Sequence, residues 1–214
     1  MLSQIHRMVV VACLLAAGPF AGLAGADAPA AIPEDDYGRY DQIVVSKFLT
    51  SETTLVLMER QTTTQISPKQ EGPLTERWFQ EEGYFDGTLS WELIKDFIAV
   101  NREPVRLEGR FQFGVRYRFI SGTAEEAPEV SRAIPVRRLE IGPVVDRLVW
   151  SRIGYTRRHD QALVYVGHLR PDGSGAGFLV WFRRQGTQWT IWDTEVIWTV
   201  QLVPESDGGP LLAP

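Results

Sequence analysis

The sequence predicts an α+β fold, with N-terminal helices packed on a curved antiparallel β-sheet that ends in a C-terminal meander. Three observations carry that expectation. Helical apolar spacing is confined to the chain before residue 102. A two-residue alternation takes over from 105 to 119. Beyond 147, β-rich runs are separated by turns containing Gly, Pro and Asp. Helices first and strands later is not the alternating order of a parallel, doubly wound sheet.

The chain of 214 residues opens with a three-part leader. Residues 1–7 are mildly basic, residues 8–17 are wholly apolar, and Gly18-Pro19 precedes the small-residue pattern Ala24-Gly25-Ala26. This is the grammar of a cleavable export signal over residues 1–26. Its apolar run is about half of the ~20 residues that span a bilayer, so no stable transmembrane anchor is expected. Val10-Val11-Ala12-Cys13 resembles a lipobox, but Cys13 stands inside the apolar run rather than after it. The expected destination is the periplasm or the exterior. Cleavage removes the single cysteine and one of three histidines, which excludes disulfides, thiolate nucleophiles and Cys-ligated metals.

A flexible leader is expected at 27–34, one domain at 35–203 and a flexible Pro/Gly-rich tail at 204–214. Asp35 or Asp36 is placed to cap a helix carrying Tyr37, Tyr40, Val44 and Phe48 on one face. Residues 53–66 read as a strand stopped by Ser67-Pro68. A short helix is expected over 75–82. A stronger one starts at Thr88 or Ser90, buries Leu89, Leu93, Ile94, Phe97 and Ile98, and stops at Arg102-Glu103-Pro104. Residues 105–119 read as one half-buried antiparallel strand, bent at Gly109 or Gly114. A polar loop follows at 122–135. The meander strands are placed at 147–154, 161–169, 177–184, 188–193 and 195–200.

In the C-terminal half, Ser151, Gly154 and Tyr155 form a Ser-x-x-Gly-aromatic turn. A Gln-Ala-Leu-Val-Tyr strand from Gln161 to Tyr165, glycines Gly175 and Gly177, and Trp189 follow. This segment resembles a family of exported bacterial proteins of unknown function. The resemblance covers about a third of the mature domain, implies an exported α+β domain, and brings no activity. Thr156 takes the place of the small polar residue after the aromatic, and Arg157-Arg158 is particular to this chain.

Catalytic grammar is thin. Ser151, His159 or His168, and Asp160 or Asp193 would supply a hydrolase triad, but no Gly-x-Ser-x-Gly elbow surrounds Ser151, and a mid-strand serine more often bonds backbone. His159 and His168 with Glu195 fall short of metal-ligand spacing, so no metal or cofactor is expected. The acid pairs Asp193/Glu195 and Glu81/Glu82 are matched by solvated edges. The glycines of 173–177 lie between strands, which makes a hairpin rather than a phosphate loop.

Aromatics and arginines stand out. Five of the seven tryptophans are Trp150, Trp181, Trp189, Trp192 and Trp198, in the same region as Arg152, Arg157, Arg158, Arg183 and Arg184. Trp150, Tyr165, Trp181 and Trp192 are expected to align on one sheet face, as core under the helices or as an exposed platform. Trp150, Arg152, Tyr165, Trp181, Arg183 and Trp192 are therefore the candidate binding residues, and no catalytic residue is assigned. The formal charge of −5 gives no support for nucleic-acid binding. The expected function is a non-enzymatic binding or interaction domain for a protein, glycan or small ligand. A carboxylate-dependent hydrolase and a cystatin- or NTF2-like pocket for a small apolar ligand are the alternatives.

Overall fold

The computed structural model describes residues 31–121, 124–125 and 144–201. The expected export signal with Cys13, most of the expected leader, nearly all of the 122–135 loop and the expected tail fall outside these residues. Three helices and an eight-stranded sheet make up the described fold, so the α+β class holds.

Helix α1 spans Glu34–Ile43 and widens into a π-helical turn at Val44–Phe48. Pro33, not an aspartate, precedes it. Glu34, Asp35 and Asp36 occupy the first turn, where the helix dipole favours acids. Strand β1 is only Leu55–Glu59, shorter than the 53–66 expected. Beyond it the backbone leaves the ladder: the amides of Thr62 and Thr63 donate to the carbonyls of Val105 and Trp150. Helix α2, Glu76–Glu82, is capped by the Thr75 hydroxyl, and α3, Trp91–Val100, by that of Ser90.

The 105–119 alternation does not make one strand. Val105, Leu107, Phe111 and Phe113 are buried in alternation, yet only Arg116–Ser121 is strand (β2), and the earlier stretch is joined to the residues just after β1 by an isolated bridge, Gln61 with Arg106, outside the named strands. Gly114, at φ +88, breaks the run in a conformation other residues resist. Strands β3 (Ala124–Glu125), β4 (Val144–Trp150), β5 (Gly154–Tyr155), β6 (Gln161–Leu169), β7 (Gly175–Gln185) and β8 (Gln188–Val200) follow.

The sheet order is β3-β2-β1-β4-β6-β7-β8, with β5 continuing β4 alongside β6. Its other pairings are antiparallel, but β1 runs parallel to both β2 and β4. The expected all-antiparallel sheet is thus mixed, because the long excursion through α2 and α3 returns the chain to β2 in the direction of β1. Residues 188–200 form one strand rather than two, with Trp192 and Ile197 inserted as extra residues opposite β7.

Helices lie on both faces. Tyr37, Tyr40 and Ile43 of α1, with Leu107 and Phe111, cover Trp150, Val164 and Phe182 on one face. Leu93 and Phe97 of α3, with Phe79 and Phe85, cover Leu163, Tyr165, Leu179 and Trp181 on the other. Alternate residues of β6 and β7 therefore enter opposite cores, which explains their nearly continuous apolar sequence. Trp150 is fully buried against Tyr40 at a centroid distance of 5.0 Å, and truncating such a ring costs about 3–5 kcal/mol.

Candidate functional site

The site grows from the end of the sheet where β5 has no strand on its outer side. Helix α3 covers that edge instead. The Asp96 carboxylate accepts the Tyr155 amide at 2.7 Å, and Glu92 accepts the Arg157 amide at 2.5 Å. Carboxylates one helical turn apart rise about 6 Å, close to the ~6.7 Å between alternate amides of an extended chain. The two acids thus stand in for a missing strand. Gly154 permits the approach: a Cβ there would lie 2.4 Å from the Phe97 Cα.

The chain then turns back at 156–160. The Thr156 hydroxyl bonds Asp160 at 2.6 Å, the His159 amide donates to the Thr156 carbonyl, and His159 adopts φ +50. That turn lays the exposed imidazole on the Tyr155 ring at 5.1 Å. The Arg39 guanidinium, from α1, lies 5.2 Å from the same tyrosine ring and 4.4 Å from the Trp189 ring. Arg184 approaches the Trp189 ring at 6.0 Å. The result is an alternating stack, His159–Tyr155–Arg39–Trp189–Arg184, on the α1 face of the sheet. Each guanidinium–ring contact is worth roughly 0.5–2 kcal/mol, more when dry.

Behind the stack lies a buried polar pair. Asp36 is 4% exposed; it accepts the Tyr155 hydroxyl at 2.5 Å and sits 3.6 Å from Arg39. Burial raises the Asp36 carboxyl above the usual range, while Tyr155 and Arg39 pull it back. Burial, and then the Asp36 charge, push the Tyr155 phenol far above its ordinary value, so it stays protonated as a donor. Next door, burial raises the fully enclosed Tyr40 phenol, whose hydroxyl donates to the Ser151 carbonyl.

In front of Tyr155 and His159 opens a cleft of about 680 Å³. Its far wall is the polar side of α3: Trp91, Glu92, Lys95, Asp96 and Ala99. Trp91 is 39% exposed, and the Lys95 ammonium stands 5.2 Å from its ring. Arg157 reaches from the opposite rim with its side chain 93% exposed and its Nε 3.8 Å from Glu92.

The four aromatics expected to share a face do not. Trp150 belongs to the α1 core; Tyr165 and Trp181 belong to the α3 core, where the Trp198 indole donates to the Tyr165 hydroxyl at 3.2 Å. The inserted residue Trp192 is 51% exposed. Trp181, Arg183 and Trp192 are brought together, with the Arg183 guanidinium 4.5 Å and 3.8 Å from the two rings. They lie on the face opposite the Arg39 stack. Arg152 is half-buried and holds the end of α3 by donating to the Val100 carbonyl at 3.2 Å.

The remaining chemical candidates resolve into local roles. The Ser151 hydroxyl donates to the Arg152 carbonyl and accepts the Tyr165 amide, so it is spent on backbone. His159 precedes β6 and His168 lies near its far end beside Phe48, too far apart for one site. Glu195 accepts the Phe85 amide. Among the described residues no group of three or more His, Cys, Asp or Glu is placed to hold a metal ion. No helix among them is long and apolar enough to cross a membrane. Sequence reasoning missed Asp36, Arg39, Trp91, Glu92, Lys95 and Asp96. A signal for the first two exists: 36, 39, 40 and 43 form one helical stripe, which puts two charges among core residues.

Comparison with protein-family models, with curated proteins and with solved structures finds no match for this chain.

Proposed function

We propose that this chain is an exported, non-enzymatic binding domain that receives a small polar ligand or a glycan in the cleft between α3 and β5. The observation that carries the reading is the Tyr155–Asp36–Arg39 network behind the cleft. A buried charge pair is costly to maintain and often marks a functional site, and this one fixes the ring that lines the cleft. The export signal and the resemblance to exported proteins support the location. The cleft carboxylates are engaged by backbone amides, which favours binding over the hydrolase reading. An apolar pocket beneath the helices is disfavoured because Leu93, Phe97, Leu163 and Trp181 fill that space.

The experiment is a thermal-shift screen of the full chain against saccharides, peptides and lipids, repeated with Trp91→Ala. A ligand at a hundredfold excess over its Kd stabilises by about 2.7 kcal/mol. The expected result is a rise in melting temperature that Trp91→Ala abolishes. No rise with any class overturns the reading.

A further inference from the structure

Resting on that binding reading, we infer that the ligand of the α3–β5 cleft is an acidic saccharide, a sugar ring that carries a carboxylate. Three features of the cleft converge on it. Trp91 offers a flat, partly exposed ring, and the exposed His159 imidazole, stacked on Tyr155, offers a second; both suit the C–H face of a pyranose. Glu92 and Asp96 each bond their amide through one oxygen, Oε1 and Oδ2, so each carboxylate has further acceptor capacity for ligand hydroxyls. Lys95 and Arg157 are exposed cations on opposite rims, and Arg157 is only loosely paired with Glu92 at 3.8 Å.

A ligand that answers all three must bring a ring face, several hydroxyl donors and an anionic group. A neutral sugar leaves both cations to solvent. A bare phosphate engages the cations but not the rings, and meets two carboxylates. A uronate uses all three sets, its carboxylate taken by Arg157 in the fork geometry that guanidinium favours. Lys95, held over the Trp91 ring, sets a second cation beside a stacked sugar.

The test is calorimetric titration of the full chain with an oligogalacturonide, a neutral glucose oligosaccharide and inorganic phosphate, at low salt and at about 0.3 M salt. The oligogalacturonide is expected to bind roughly tenfold more tightly than the neutral sugar, with most of that advantage lost at high salt. Lys95→Gln with Arg157→Gln should bring the uronate down to the neutral sugar. Trp91→Ala should weaken both sugars about fivefold or more. Trp192→Ala, on the opposite face, should change neither, and melting curves verify that every variant is folded. Equal binding of neutral and acidic sugars overturns the inference, as does phosphate binding as tightly as the uronate with no dependence on Trp91. If no sugar binds but a peptide or lipid stabilises the chain through Trp91, the inference fails while the binding function stands. If nothing of any class binds, both fail.

Discussion

Replacing Arg39 with Met isolates the buried charge pair while keeping most of the side-chain volume between Tyr155 and Trp189. Arg39 and Asp36 have side chains only 10% and 6% exposed, at 3.6 Å. Removing one member of such a pair leaves an uncompensated buried charge and costs about 3–5 kcal/mol. The loss of two ring contacts is contained in that figure. Burial already raises the Asp36 carboxyl, and without Arg39 it rises further. For an acid whose folded value exceeds its unfolded value, stability increases as pH falls through the folded value and levels off below the unfolded one. Arg39→Met should therefore cost about 3 kcal/mol at pH 8 and clearly less at pH 5, because the stranded carboxyl takes up a proton more readily as the pH falls. Urea denaturation at the two pH values measures both. Asp36→Asn in the Arg39→Met background should recover most of the loss at pH 8. An equal loss at both pH values, or one below about 1 kcal/mol at pH 8, would refute the charge argument.

Three further outcomes follow from neighbouring features. Burial pushes the Asp41 carboxyl up to about 6 despite the Gln112 amide that it accepts. The ceiling of about 3 kcal/mol shrinks to about 1 kcal/mol for a half-exposed group, so Asp41→Asn should stabilise by that much at pH 8 and by nothing near pH 4, read by urea melts. Gly154→Ala drives a Cβ into the Phe97 backbone and should cost about 3 kcal/mol, with faster amide exchange at Tyr155 as α3 lifts from β5; an unchanged melting temperature would count against the α3–β5 contact. Ser151→Ala strands the buried Tyr165 amide and should cost about 1–3 kcal/mol in chemical denaturation.

Where local chemistry decides the outcome, the sequence was legible. Thr75 and Ser90 cap their helices as their positions suggest, β6 occupies residues 161–169 as its apolar run suggests, and Ser151 bonds backbone. Where long-range pairing decides, it was not. The alternation at 105–113 is real as burial, but burial period does not say whether a neighbouring strand is present. The parallel arrangement of β1 with β2 and β4 depends on where the chain returns, which no local pattern encodes. The tryptophans misled for a related reason. Trp150 pairs with Val166 rather than Tyr165, so the β4–β6 register puts it on the face opposite Tyr165 and Trp181. The cleft itself joins residues about 60 positions apart, Glu92 to Arg157 and Asp96 to Tyr155, and on its own α3 shows only an ordinary polar side.

The insertions in β8 also bear on what its outer edge can pair with. Its outer edge is 13 residues long, with exposed Trp192, Val196 and Val200 and no lysine, arginine or proline to discourage a newcomer. An uninterrupted edge of that kind templates fibrils. Because the inserted residues fall at 192 and 197, the longest unbroken stretch between them is 193–196, two of whose four residues are acidic. A foreign strand finds roughly 13 Å of matched hydrogen-bonding groups before the register slips. The kinks that aim Trp192 at Arg183 thus also shorten the stretch of edge that a foreign strand could match.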